Sequence, residues 1–380
     1  MKKYIYTALV LFVSITALSQ VQAPIKFRKQ LVASESFESV GVFDVNGDKS
    51  PDIISGSYWY EGPAYLKRHY VRDEKRYGEY YDDFSTIPMD VNGDGKTDFV
   101  TGGWFGKTLN WYENPGNNND MWKEHIVTET GNLETTRSWD VDGDGFEEIV
   151  PNTPNTPLIY YTLNRDANKK ATGEFTKTQV MEKNGHGLGF GDINGDGRGD
   201  FIVTDGWLEA PADRKTGAWI HHPDFKLGTA SIPIIVTDIN KDGFNDFIVG
   251  QAHGYGLDWY EQKRVNKKIS WVKHAIDPYQ AQFHTMAWED IDNDGVKELI
   301  TGKRYRAHNG NDPGDNDPPG LYYYKWNGES FSKQVISYGE IGEGKGTGIY
   351  FSITDLRGNG RKDIVVAGKD GLYIFYNEGK

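Results

Sequence analysis

Apolar and polar positions alternate along this chain in short runs, with no stretch at helical spacing. Runs of four to six residues such as DIISG, DFVTG, DFIVG and ELITG are bounded by Gly, Asn, Asp and Pro. Alternation over so few residues, closed by turn formers, predicts strands and an all-β fold. The runs come in a fixed order. An acidic loop precedes each of them, and an aromatic run often follows, as in LNWYE, GLDWYE, GLYYYKW and GLYIFY. A fourth run comes before the next loop: WKEHIV (Trp122 to Val127), WVKHAI (Trp271 to Ile276) and FSKQVI (Phe331 to Ile336). Strand A, acidic loop, strand B, aromatic strand C and strand D make up one blade of a β-propeller.

The unit recurs seven times. The loops begin at Asp44, Asp90, Asp140, Asp192, Asp238, Asp290 and Asp355, at spacings of 46, 50, 52, 46, 52 and 65 residues. The last repeat stops at its aromatic strand, Tyr373 to Tyr376, and a strand D-like run, FRKQLV (Phe27 to Val32), stands alone near the N-terminus. The expected architecture is therefore a seven-bladed β-propeller of four-stranded blades over residues 24–380. The N-terminal strand completes the last blade, so no sheet edge is left open.

Composition then narrows the setting. Lys2 and Lys3 precede a mostly apolar stretch from Tyr6 to Leu18, followed by small residues. This reads as an export signal over residues 1–19, too short to span a bilayer. Cleavage after Ser19 is favoured over cleavage after Ala23, because Pro24 would disfavour the latter. The expected location is periplasmic or extracellular, without membrane insertion. The chain has no cysteine, so neither disulfides nor a lipidated cysteine are involved. A net charge of −13 argues against a nucleic-acid partner.

Much of that charge lies in the loops. Six fit D-x-[DN]-x-D-x-x-x-[DE] in full. They supply Asp44, Asn46, Asp48 and Asp52; Asp90, Asn92, Asp94 and Asp98; Asp140, Asp142, Asp144 and Glu148. The later three supply Asp192, Asn194, Asp196 and Asp200; Asp238, Asn240, Asp242 and Asp246; Asp290, Asp292, Asp294 and Glu298. Several hard oxygens on a tight glycine-bent loop are what calcium requires. The bland alternative is a set of Asx-turns without metal. In the seventh loop Arg357 and Asn359 replace two ligands, and no calcium is expected there. About six structural calcium ions are the expectation. These repeats resemble the FG-GAP/VCBS family, the propeller repeats of integrin α-subunits and of many secreted bacterial proteins. The resemblance implies fold and calcium, not activity.

If strand A runs inside each blade towards its calcium loop, residues just before strand A gather on the opposite rim. His186 and His284 each precede their loop aspartate by six residues, and His253 belongs to a B–C connection of the blade between them. Three imidazoles on adjacent blades would suit one transition metal, with zinc the first expectation. Blade 6 adds Lys303, Arg304, Tyr305 and His308 as candidates for proton transfer or enolate stabilisation. Glu134, Arg137, Asp82, Asp83, Trp59, Trp104 and Trp207 are candidate substrate contacts, since exposed tryptophans beside charged groups suit sugar rings. The structural alternatives are polar channel lining for the histidines and interblade packing for the tryptophans. Long segments in blades 4 (WLEAPADRKTG) and 6 (NGNDPGDNDPPG) are expected as B–C connections that wall a pocket. His69, His125 and His274 are expected in strand D as bystanders, and His221 and His222 in a strand C-like segment.

The stretches HGLGFGDINGDGRGDFIVTDGWLEAP, QAHGYGLDWYEQ and FHTMAWEDIDNDGVKELITGKRYRAHNGNDPG also resemble the propeller domain of fungal aldos-2-ulose dehydratase and related secreted bacterial proteins. That resemblance implies a zinc-bearing cleft and β-elimination on a keto-sugar. It leaves three readings open: a carbohydrate lyase or dehydratase, a non-catalytic glycan- or protein-binding propeller, and an integrin-like adhesion module.

Overall fold

The computed structural model describes residues 23–116, 121–266 and 268–380. The export signal read in residues 1–19 lies outside them. Seven four-stranded antiparallel sheets form a ring, a seven-bladed β-propeller. In blade 1 the strands run from A (Gly41–Phe43) through B (Asp52–Ser55) and C (Tyr58–Tyr60) to D (Arg68–Tyr70). Strands A of neighbouring blades meet around the centre, with direct bridges at Ser39–Tyr350 and Gly189–Ile234. Among the described residues no helix is long and apolar enough to cross a membrane.

The ring closes as expected. Lys26–Ala33 pairs antiparallel with Leu372–Gly379, making the N-terminal strand the outermost strand of blade 7.

The core lies between blades. Seven apolar clusters each join two neighbours, as where Ile87, Val100 and Trp111 of blade 2 meet Ile149 and Tyr161 of blade 3. A strand run such as DFIVG is buried throughout because both faces of its sheet are covered by blades. The ninth loop residue fixes each blade's geometry. Asp52, Asp98, Glu148, Asp200, Asp246, Glu298 and Asp363 are fully buried or nearly so. Their carboxylates accept the N–H of the buried second loop residue, as from Val45, Val91, Ile193 and Ile239. In several blades the other oxygen accepts an N–H just beyond strand C, as from Gly62, Asn114 and Ala210, or within it, as from Gln262 in blade 5.

The outer strands repeat a second motif. Trp59, Trp111, Trp207 and Trp259 on strand C stack on His69, His125, His222 and His274 directly opposite on strand D. Each histidine Nε2 lies 2.8–3.0 Å from a glutamate two residues after the tryptophan: Glu61, Glu113, Glu209 or Glu261. This corrects two expectations. Trp59 and Trp207 are buried packing residues, not sugar contacts. His221 and His222 belong to strand D of blade 4 (Ile220–His222), not strand C. In blade 4 a tight turn at Thr204–Asp205 leads straight into strand C (Gly206–Glu209), so WLEAPADRKTG is strand C and the C–D connection. It lies on the acidic-loop side, where Lys215 reaches Asp142, and walls no rim pocket.

Candidate functional site

The residue six places before each loop aspartate stands at the channel rim opposite the loops. In blades 3, 4 and 6 it is Glu134, His186 and His284. These three and His253 offer ligand atoms that all lie within 4.8 Å of one another. Glu134, expected as a substrate contact, thus joins the histidines. The signal that locates it was in the sequence: Asp140 follows it at the same six-residue interval.

The hydrogen bonds around the cluster set its tautomers. His186 Nδ1 lies 3.0 Å from the Ala230 carbonyl, and His253 Nδ1 lies 2.7 Å from Asp312 Oδ2. Both partners only accept, so both Nδ1 atoms carry hydrogen. The two Nε2 atoms then face each other at 3.0 Å. Two imidazole lone pairs at that distance repel unless a proton or a cation lies between them. Glu134 Oε1 stands 2.8 Å from His284 Nε2 and 3.3 Å from His186 Nε2.

Electrostatics agree with a site built for positive charge. Burial raises Glu134, but the His186 charge and the hydrogen bonds of both histidines outweigh it and hold the carboxyl well below its usual range. Burial would lower His186, yet the Glu134 carboxylate raises it above its ordinary value. Burial and then the Arg304 charge hold His284 well below its usual value. Burial and then His186 bring His253 down to about 4. His253 and His284 are therefore neutral at pH 7, as metal ligands must be. Orientation of Nδ1 by a carbonyl and a carboxylate is the outer shell that metal-binding histidines usually have.

A cleft of about 360 Å³ opens beside this cluster, lined by Tyr80, Phe84, Trp104, Phe105, Glu134, Arg304, His308 and Asn309. Tyr80 of its aromatic wall comes from an extra hairpin (Arg76–Tyr77 with Tyr80–Tyr81), whose Tyr77 stacks on Phe105 with ring centroids 4.6 Å apart, and Trp104 and Phe105 come from the B–C connection of blade 2. Opposite stands His308, stacked on His253 at 4.2 Å. His308 Nδ1 lies 2.9 Å from Asp312 Oδ1, so one carboxylate holds both rings. Arg306, His308 and Asn309 have φ of 52°, 47° and 57°, a left-handed run costly for non-glycine residues. The blade 6 connection thus walls the cleft through Arg304, His308 and Asn309; of the expected segment NGNDPGDNDPPG only Asn309 lines it, while Asp312 holds His253 and His308.

Other candidates fall elsewhere. Lys303 is buried and donates to the carbonyls of Asp315 and Asp317, which holds that connection in place. Tyr305 faces a separate groove with Pro318, Pro319 and Glu340. Arg304 reaches the cleft but is paired with Glu38, at 2.8 and 3.2 Å. Asp83 is buried against Arg72, and the Asp82 carboxylate accepts the N–H groups of Phe105 and Gly106. Arg137 is buried across the channel, where its guanidinium donates to the Ile232 carbonyl and to Thr285. Asp82, Asp83 and Arg137 are thus structural, because each is tied to protein partners. Trp104 alone of the three candidate tryptophans lines the cleft.

Residues 90–150 match the FG-GAP-like repeat family. No curated protein is similar in sequence. Among solved structures, the exotype rhamnogalacturonan lyase YesX is 13% identical over 94% of this chain and 75% of its own, with a TM-score of 0.52. A chain of the BBS1N–ARL6DN complex is 12% identical over 93% of this chain and 96% of its own, with a TM-score of 0.51. At such identities the likeness is one of fold, and what this chain shares with both is the propeller.

Proposed function

We propose that this chain is an exported, calcium-stabilised propeller that acts as a metal-assisted carbohydrate lyase at the rim opposite its acidic loops. The observation that carries the reading is the pair of Nε2 atoms of His186 and His253 at 3.0 Å, each with its Nδ1–H engaged behind it. With His284 and Glu134 beside them, three nitrogens and one carboxylate oxygen fit zinc or a similar divalent ion. Such an ion, when bound, would supply a Lewis acid for a sugar carbonyl and stabilise the enolate formed on loss of an α-proton.

The chain's own groups suit the remaining needs of β-elimination. His308 is exposed to the cleft and braced by Asp312, so it is the group placed to move a proton. Trp104, Phe105 and Tyr80 offer ring faces for a sugar's C–H surface. Arg304, fixed by Glu38, adds positive potential without being free to bind. YesX, which shares the propeller fold, is a rhamnogalacturonan lyase, which accords with this reading.

The acidic loops fit calcium on separate grounds. Burial pushes the ninth-position carboxyls up, to about 6 for Asp52, Asp98 and Asp246 and about 7 for Glu148 and Asp200. A buried carboxylate so disfavoured calls for a compensating cation. The buried oxygens Asp90 Oδ1 and Glu148 Oε1 accept no hydrogen bond.

The test is elemental analysis of gel-filtered protein, followed by assay on 3-keto-glycosides and anhydrofructose. One zinc-class ion per chain is expected, lost in His284→Ala and Glu134→Gln, with an ultraviolet-absorbing enone formed only by the metal-loaded protein. Calcium with no second metal would leave a binding propeller and sink the lyase reading.

A further inference from the structure

The acidic loops are not alike, and the difference lies in strand C. Register places Glu61, Glu113, Glu209, Glu261 and, in blade 6, Lys325 at one equivalent strand C position, each following the residue paired with the second residue of strand B. In blades 2 and 5 the glutamate accepts a hydrogen bond from the asparagine at loop position 3, Asn92 (3.4 Å) and Asn240 (2.9 Å). Blade 6 reverses both partners: position 3 is Asp292, and strand C carries Lys325.

The ammonium of Lys325 is bonded to Asp292, lies 2.9 Å from Asp294 and lies 3.3 Å from Glu298. Those are loop positions 3, 5 and 9, three of the four side chains a dication would need. Lys380 adds a second ammonium 3.1 Å from Asp292. The seventh loop has its own version: the Arg357 guanidinium donates to both oxygens of Asp363, the ninth residue.

We infer that Lys325 is the resident cation of the blade 6 loop, which takes no calcium, just as Arg357 serves in blade 7. Coulomb's law explains why the two cations exclude each other. Like charges a few ångströms apart, sharing three carboxylates, repel, and the tethered one needs no binding entropy. Loop 3 shows the contrast. Its Lys215 reaches Asp142 at 2.7 Å but lies 3.7 Å from Asp144, and among the described residues no ion pair joins it to Glu148, whereas Lys325 stands 3.3 Å from Glu298. That loop keeps room for an ion.

The inference rests on the reading of the other loops as calcium sites. Its consequence is that blades 6 and 7, which carry His284, His308 and the ring closure, hold their loops by internal charge.

The test is long-wavelength anomalous diffraction from crystals grown with calcium chloride, on the full chain and on Lys325→Met. Wild-type protein should show calcium in the loops of blades 1 to 5 and none in blade 6. The variant should gain one ion per chain at Asp290–Glu298. Calcium in the wild-type blade 6 loop, or a folded variant that gains none, overturns the inference alone. Calcium in no loop overturns it together with the calcium reading. If the variant fails to fold, the wild-type map decides.

Discussion

At the scale of single residues, the structure separates tryptophans that sequence patterning treats alike. Trp207 is buried, stacked on His222, with its indole N–H donating to Asp224 at 3.0 Å. Trp207→Ala should cost about 3–5 kcal/mol, the usual range for truncating a buried aromatic. Thermal melts would show the loss, while affinity for a sugar ligand in the surviving fold should stay unchanged. Trp104→Ala should do the reverse, weakening a ring-stacking ligand by about 1 kcal/mol with little change in melting. A melting loss as large for Trp104 as for Trp207 would remove it from the cleft wall. Lys369 offers a pH test. Burial holds its ammonium down to about 8, against an ordinary value of 10.5, with the Nζ 3.5 Å over the Tyr80 ring. The folded protein therefore loses this proton at lower pH than the unfolded chain. The stability so gained is absent below pH 8 and grows as pH rises towards 10. Chemical denaturation of wild type and Lys369→Met across that interval should show the wild type gaining relative to the variant, and parallel curves would refute the assignment.

At the scale of elements, what could be read from sequence was whatever repeats locally. In every blade but the sixth, the loop aspartate, the strand behind it and the aromatic strand lie within about 27 residues, so one repeat teaches the next. The rim histidines were legible for a related reason: a strand's register is fixed by its loop, so equal intervals before the loop mean equal depth in the channel. Glu134 shares that interval, which places it beside the histidines as well as on the cleft wall. Strand boundaries after strand B were harder. The Thr204–Asp205 turn is too short to announce itself, so the sequence points to a loop where strand C begins. The partners of Arg304 and Arg137 were out of reach, since Glu38 is 266 residues from Arg304 and Ile349 is 212 from Arg137. The N-terminal strand was predicted from a missing partner, and it gives an element-scale test. Removing residues up to Ala33 exposes the backbone of Leu372–Gly379, an unpaired edge that favours association. The truncated protein should melt lower and elute as oligomers, and a separate peptide of residues 24–34 should restore both. A truncated chain that stays monomeric with wild-type melting would deny the strand its closing role.

At the scale of the whole molecule, the rim is held in shape from beneath. One terminal nitrogen of Arg137, on blade 3, lies 2.5 Å from the Ile232 carbonyl, 2.8 Å from Thr285 Oγ1 and 3.4 Å from the Ile349 carbonyl, and the guanidinium packs 4.3 Å from the Tyr350 ring. A single side chain so ties blade 3 to blades 5, 6 and 7 across the channel. Among the described residues no carboxylate pairs with it, and burial lowers it to about 10. A guanidinium in that setting remains charged and is satisfied by carbonyl dipoles instead. Two of its contacts adjoin the site. Thr285 follows His284 in the chain, and the Ile232 N–H donates to the His284 carbonyl at 3.0 Å. Arg137→Met would leave these buried acceptors unpaired, at a cost of about 2–4 kcal/mol. Because ligand geometry at a metal must hold within a few tenths of an ångström, loosening the floor should also weaken binding of the proposed rim ion. The expected pattern is a lowered melting temperature together with roughly tenfold weaker zinc binding, within the range lost when a supporting partner is removed. His284→Ala, by contrast, should lose the ion more completely. Competitive titration against a chromogenic chelator measures both. Zinc affinity unchanged in a destabilised Arg137→Met protein would mean that the four ligands hold their positions without help from the channel.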